Sequence, residues 1–381
     1  MQLQLFNYTT EAGWSVEAFP QLDSPNTLIL VFGATVYLDD PMPIQQLAQA
    51  YPQSIFLGCS TSGEIFGTTI LDNSLSVAVM RFTATTIKGT YAPILSSNSS
   101  FNAGQAIAKE LLHPHLRGLI VLSDGTSTNV NGSNLVRGLN SILPDSISVT
   151  GGLAGDGDRF TRTWVLKDKM PHSGYVAAVG FYGDHIHFGH GSKAGWRIFG
   201  PERQVTRSQE NVLYELDGQP ALELYKRYLG ERAADLPASA LLFPLSIREN
   251  HDSDKQIVRT ILSVDEEAQS MTFAGDIPEG YFAQLMRASF NGLVDGAAEA
   301  AAVARGSAPD LDDTLSITIS CVGRRLVMGE YTEDELDAAL EVLPKGTQQI
   351  GFYSYGEISP FATGYCDLHN QTMTVTTISE D

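Results

Sequence analysis

Three histidines, His185, His187 and His190, fall within GDHIHFGHG. In a strand, successive side chains alternate between faces, so His185 and His187 share one face while Ile186 and Phe188 take the other. Two imidazoles at i and i+2 with a third nearby are a donor set for zinc; with an open coordination position they would make a metal-assisted hydrolase. An amphipathic strand with one wet face explains the pair without a metal, and no His-Glu-x-x-His helix accompanies it. A second set is carboxylate: Gly63-Glu64, Gly155-Asp156 and Gly356-Glu357 recur as glycine followed by an acid. At strand ends, three such acids would line one cleft and hold an ammonium group. Turn chemistry offers the simpler account, with glycine supplying a positive φ and the acid accepting turn N–H bonds. SDGTSTN (123–129) has the oxygen spacing of a metal-binding turn, though Asp124-Gly125 also reads as the turn after a strand. Cys59 precedes a turn and is either a reactive thiol or a small buried residue. GCSTSG and GFYSYG both miss the Gly-x-Ser-x-Gly elbow. GGLAGDG lacks the dinucleotide glycine order and a phosphate-loop lysine.

Repetition positions these residues. LILVFGA (28–34), PIQQLAQAY (43–51), IFLGCSTSGEIFG (55–67) and LSVAVMRF (75–82) read as strand, helix, strand with a glycine-acid turn, and strand. The order returns at LIVLSDG (119–125), NLVRGLNSIL (134–143), ISVTGGLAGDGDRF (147–160) and YVAAVGFYG (175–183). It returns again at LSITISCVGR (315–324), DELDAALEVL (334–343), QIGFYSYGEISP (349–360) and TMTVTTI (372–378). A strand-helix-strand step makes a parallel crossover, and the strand after the turn pairs antiparallel. The expected class is α/β, with mixed sheets built from repeated strand-helix-strand-turn-strand units in two modules. Residues 205–230 read as a strand, a Leu-Asp-Gly turn and a helix from Pro220. The segments 241–247, 257–264 and 270–280 read as antiparallel strands, and 281–305 as a long Ala-rich helix. The polar, proline-terminated ERAADLP (231–237) separates modules at 20–230 and 236–376.

Composition narrows the partners. The 381 residues carry Lys+Arg 24 against Asp+Glu 44, a net charge of −20, with 43% apolar and 18% charged residues. That is a folded chain, and one repelled at long range by phosphate backbones and anionic lipid, so neither nucleic acid nor membrane is an expected partner. Cys59, Cys321 and Cys366 form no Cys-x-x-Cys pair, which excludes a disulfide scaffold and c-type haem attachment. No secretory leader pattern opens the sequence and no apolar run is long enough for a bilayer, so the expected compartment is the cytoplasm.

GCSTSGEIFG, GGLAGDG, and GFYSYGEISP followed by CDLHNQTMTVTTISE resemble the FIST family of bacterial sensory proteins, from about Leu28 to Glu380. The resemblance implies a non-enzymatic sensor of small ligands, such as amino acids, in signal transduction. A subset of stand-alone members, of the NosP type, binds haem, senses nitric oxide and modulates histidine kinases or cyclic-di-GMP enzymes; those are the implied partners, and a homodimer is compatible with them. Haem needs a neutral axial histidine, apolar walls and cations for its propionates. Here the metal ligand would be His190, with glycines on both sides leaving room for a flat macrocycle. Phe188 and Trp196 would supply walls, together with Ile198 and Phe199, and Arg197 or Lys193 a cation. His369, in CDLHNQ, is the second choice; both histidines also read as turn residues. With an amino acid instead, Glu64 or Glu357 would hold the ammonium group and Arg248, Arg259 or Arg324 the carboxylate.

Overall fold

The computed structural model describes every residue except 127–129, 237, 254, 308 and 361–364. Three units follow one another. The first comprises β1 (Gln2–Thr9), β2 (Gly13–Trp14), β3 (Thr27–Gly33), α1 (Met42–Ala50) and β4 (Ile55–Ser60). It ends with the hairpin β5 (Glu64–Phe66)–β6 (Thr69–Leu71) and then β7 (Ser74–Arg81). The second runs β8 (Thr86–Pro93), α2 (Ser100–Leu111), β9 (Leu116–Ser123), α3 (Gly132–Asn140) and β10 (Ser148–Leu153). Its hairpin is β11 (Val165–Lys167)–β12 (Met170–His172), and its last strand is β13 (Tyr175–Tyr182).

The third unit opens with β14 (Ile186–Lys193) and is at once interrupted. The insert holds β15 (Arg197–Gln209), β16 (Val212–Leu216), β17 (Gln219–Pro220), α4 (Ala221–Leu229) and β18 (Leu245–Arg248). It continues through β19 (Ile257–Arg259), β20 (Ile261–Asp265), β21 (Ser270–Phe273) and β22 (Phe282–Arg287). The unit resumes with α5 (Phe290–Gly306), β23 (Leu315–Cys321), α6 (Val322–Met328), α7 (Glu333–Val342) and β24 (Gln348–Ser354). The hairpin β25 (Gly356–Pro360)–β26 (Cys366–His369) and β27 (Met373–Glu380) complete it. The module boundary expected at 231–237 falls within the insert, at the 3-10 turn Gly230–Asp235 that follows α4.

In every unit the first repeat strand pairs parallel with the second and antiparallel with the last, as β3 does with β4 and β7. The glycine-acid hairpin leaves its own unit. Sheet orders are β12-β11-β4-β3-β7-β1-β2, β26-β25-β10-β9-β13-β8 and β14-β27-β23-β24-β5-β6. Unit two therefore lends its hairpin to the first sheet, unit three to the second and unit one to the third. This cyclic exchange ties the three units into one body.

The inner faces of the three sheets close on a single apolar core holding Leu30 and Phe32, Ile120 and Leu122, and Ile317 and Ile319. Phe32 and Phe352 meet there with ring centroids 4.7 Å apart. Helices cover the outer faces: α1 the first sheet, α2 and α3 the second, α5 and α7 the third. The insert's strands form a separate antiparallel layer around Val205, Leu213, Phe273 and Leu285. The Ala-rich helix begins later than its composition suggests. Residues 282–287 are β22, and Ser289 caps α5 by accepting the Gly292 N–H at 3.0 Å.

Candidate functional site

The glycine-acid turns are built for the fold. Glu64 accepts from the Thr61 hydroxyl, and from the Ser74 N–H at 3.1 Å and hydroxyl at 2.8 Å. Glu357 repeats the arrangement with the Ser354 hydroxyl at 2.6 Å and with the Thr372 N–H at 3.2 Å and hydroxyl at 2.7 Å. Both are fully enclosed, and burial pushes each carboxyl up to about 7 against the pull of those hydrogen bonds. Asp156 is no third copy. Ala34, Asp124 and Cys321 each donate N–H to the strand residue at Ser74, Tyr175 and Thr372 respectively, which aligns the units. Counting along the paired strands then sets Gly157, not Asp156, opposite Glu64 and Glu357. The capping duty falls to Asp124, which binds the Thr163 hydroxyl at 2.7 Å and the Gly174 N–H at 2.6 Å. That use of Asp124 absorbs the part of the 123–129 turn that is described; 127–129 lie outside the described residues.

The three bends do converge, but on one another. Ser62 donates its N–H to Tyr353 O at 2.8 Å and its hydroxyl to Gly157 O at 3.2 Å. Tyr355 reaches the same carbonyl at 3.1 Å and stacks on Phe160 at 4.3 Å. Glu64 and Glu357 are committed to these turns, and neither lines the two chambers described below.

Strand alternation on β14 divides the histidines. His190 falls on the face of Ile186 and Phe188, with His187 opposite. His185 Nδ1 and His187 Nε2 both turn to Asp381, at 3.0 and 3.4 Å. The triple-histidine zinc site is therefore not assembled, and among the described residues no three His, Cys, Asp or Glu side chains are placed to hold a metal. The glycines flanking His190 also serve another purpose. A Cβ at Gly189 or Gly191 would run into the carbonyl oxygens of Ala304 and Ala300, so these positions admit α5 and leave no slot for a macrocycle on that side. Phe188 packs edge-on against Phe181 at 5.2 Å, over Gly118, in the core rather than beside His190. Arg197 sits in β15 opposite Arg287, apart from the chamber.

What His190 faces is a chamber of about 420 Å³ between the end of β14, the insert and the β25–β26 hairpin. Its described lining includes His190, Ser192, Lys193, Trp196, Ser246, Gln256, Val258, Met286, His369 and Thr372. Both sequence-level histidine candidates thus reach one space. Burial lowers the pKa of His190, and that of His369 to about 4, so both imidazoles are uncharged at neutral pH. His369 donates Nε2–H to Ser359 O at 3.1 Å, and Trp196 donates its indole N–H to Gln371 O at 2.8 Å. The His190 ring has no hydrogen-bond partner among the described residues, and the Ser192 hydroxyl is buried without one. The described lining holds no carboxylate, and Lys193 is its one charged group, in a chain of net charge −20.

Other expected groups are spent elsewhere. Arg324 is buried against Glu335 at 2.6 Å, and Arg248 grips Glu202 at 2.6 and 2.9 Å. Cys59, Cys321 and Cys366 are free and buried, and burial holds all three thiols protonated. Ser246, Gln256, Val258 and Met286 were not foreseeable. Only long-range pairing of the insert brings them to His190, although alternation within β18 and β19 separates them from Ile247 and Ile257.

The comparisons follow this organisation. The FIST N domain model matches residues 27–219 and the FIST C domain model residues 221–360. FIST domains are sensory domains that bind small ligands in signalling. No curated protein matches the chain. Among solved structures, the cyanuric acid hydrolase from A. caulinodans is similar over 99% of both chains, at 9% identity and a TM-score of 0.36, too loose a likeness to carry an argument. No helix is long and apolar enough to cross a membrane, among the described residues. With both domain models matched in order along a shared three-sheet body, the chain belongs to the FIST family.

Proposed function

We propose that the protein is a non-catalytic sensor whose ligand occupies the chamber between β14 and the insert. The observation that carries this reading is the His190 imidazole, uncharged and without a hydrogen-bond partner among the described residues, on the wall of a space within the size range of small-molecule sites. Lys193, Ser192 and Gln256 add donors around it, and Val258, Met286 and Trp196 add apolar surface. The walls come from two layers, so a bound ligand bridges the three-sheet body and the insert. It can shift their seating only if it binds one arrangement better than the other. Residues on that seam would then report occupancy to a cytoplasmic partner protein, of the histidine kinase or cyclic-di-GMP enzyme class by likeness to NosP-type members.

Haem is the second reading, and the two neutral histidines on one chamber favour it. His190 or His369 would hold the iron, Lys193 would face a propionate, and Trp196, Val258 and Met286 would form the walls, in place of Phe188 and Arg197. Haem, when bound, supplies an iron that takes a diatomic gas such as nitric oxide. Titration with hemin separates the readings. A Soret band that moves on adding nitric oxide and is lost in His190→Ala supports haem; a colourless protein unmoved by hemin leaves the metabolite reading. A thermal-shift screen then tests that reading: a metabolite should raise the melting temperature of the wild type and not of His190→Ala. If every stabilising compound acts equally on both, His190 does not hold the ligand.

A further inference from the structure

On the opposite side of β18 and β19 lies a second chamber of about 250 Å³, walled by α3, the insert and β26. Four cations line it, and three have carboxylate partners. Arg137 meets Asp276 at 3.1 Å, Lys255 pairs with Asp367, and Arg248 is held by Glu202. The fourth, Arg259, is 5% exposed and has no carboxylate within ion-pair distance among the described residues, although Asp367 and Asp276 stand near enough to favour its charge. Its Nε donates to Asp276 O at 2.9 Å and its Nη1 to Leu368 O at 2.9 Å, so backbone carbonyls alone receive it; Nη2 has no acceptor among the described residues. Gly275 leaves the space the guanidinium occupies, since a Cβ there would stand 3.0 Å from its central carbon.

A buried charge is ordinarily paired, because desolvation costs several kcal/mol that carbonyl dipoles offset only in part. Burial lowers the Arg259 pKa to about 10, which still leaves it a cation at neutral pH. Two further donors line the same space. Ser133 accepts the Asp276 N–H at 3.1 Å and keeps its own proton to give, and the Tyr281 hydroxyl has no partner among the described residues. Glu249, the remaining carboxylate of the wall, is solvent-exposed. Val136, Ile257 and Pro278 supply apolar surface.

We infer that this chamber is a binding site for a small monocarboxylate with a short apolar body, its carboxylate on Arg259, Ser133 and Tyr281. A single unpaired cation suits one negative charge, and the small volume suits only a few heavy atoms. The site is separate from the His190 chamber, but the two share a wall: Arg259 binds the carbonyl of Leu368, next to His369, and that of Val258.

Calorimetric titration with butyrate, with phosphate as competing anion, tests this on the full chain. Expected are saturable one-to-one binding, phosphate a poor competitor, and a loss of 30-fold or more, roughly, in Arg259→Met. Tyr281→Phe should weaken butyrate by about tenfold with the free protein's melting temperature unchanged. Ser133→Ala should weaken it about as much but also lower the melting temperature, because it strands the Asp276 N–H, and the two carry the test if Arg259→Met fails to fold. Absence of saturable binding, tighter binding of phosphate, or wild-type affinity in both milder variants would overturn the inference. Loss of butyrate binding in His190→Ala with Arg259→Met unaffected would place the anion in the other chamber and overturn it equally.

Discussion

Replacing Glu64 by glutamine should make the protein more stable at pH 8 and flatten the dependence of its stability on pH. Burial raises the Glu64 carboxyl from 4.5 to about 7, so between those values the folded state binds a proton that the unfolded chain has released. Stability then falls as pH rises through that window, by about 3 kcal/mol at 1.36 kcal/mol per pH unit, and the loss is complete above the folded pKa. Glutamine mimics the protonated acid. Its carbonyl can accept from the Ser74 N–H and hydroxyl, while its amide donates to the Thr61 hydroxyl oxygen, which now receives the Gly63 N–H at 3.1 Å and has a second lone pair free. The expected result is near-equal stability at pH 5 and a gain of about 2–3 kcal/mol for Glu64→Gln at pH 8. Urea unfolding at four pH values measures this, followed through Trp164, which is buried beside the same turn and donates its backbone N–H to the Ser60 hydroxyl at 3.0 Å. Glu357→Gln should behave alike, since Ser354 and Thr372 reproduce the partners. A variant less stable than wild type at pH 8, with the pH slope unaltered, would mean that the ionised carboxylate is what the turn needs, and the reasoning would fail.

Two further outcomes follow from close contacts. Gly191→Val forces a side chain into the Ala300 carbonyl and should lower stability by about 2–3 kcal/mol, or displace α5 from β14, as read by thermal melts and by hydrogen exchange in α5. Arg324→Met strands the buried Glu335 carboxylate and frees the carbonyls of Ala194 and Leu293; it should cost about 3–5 kcal/mol in chemical denaturation, with part recovered when Glu335→Gln removes the orphaned charge.

Local pattern reached the repeat, the parallel pairing and the turn acids Glu64 and Glu357 because each is written in contiguous residues, but it took Asp156 for the third acid where Asp124 serves. It did not reach the hairpin exchange. Glu64–Phe66 reads identically whether it pairs within its unit or with Gln348–Ser354, and only three-dimensional packing selects the second. Residues 281–305 show the same limit. Their alanine content suggests one helix, but Ala283 and Leu285 alternate into the insert's core and make a strand before the Ser289 cap, itself visible in the sequence. At the chamber proposed as the site, His190 and Trp196 were legible as an imidazole and an aromatic near a strand end. Phe188 shares the His190 face yet lies two residues nearer the core axis, where Phe181 claims it. Arg197 was misassigned for a related reason, since β15 pairing turns it toward Arg287.

The alignment of the three units shows why a histidine-lined chamber occurs at only one of their equivalent positions. His190 pairs with Thr376, Gly89 with Val179 and Leu5 with Ala78, and these are one position in the repeat. In unit one the residue is apolar and packs against the common core. In unit two it is a glycine in a surface groove beside Ile55, with no insert above it. Only unit three carries both a titratable side chain there and a chain excursion, Arg197 to Arg287, whose Ser246, Gln256 and Val258 roof it. The buried carboxylates that tie each unit's turn, Glu64, Asp124 and Glu357, hold the body together, and the histidine-lined chamber lies where the repeat is broken. Introducing a histidine at Gly89 should therefore create no binding, because the wall that encloses His190 has no counterpart in unit two.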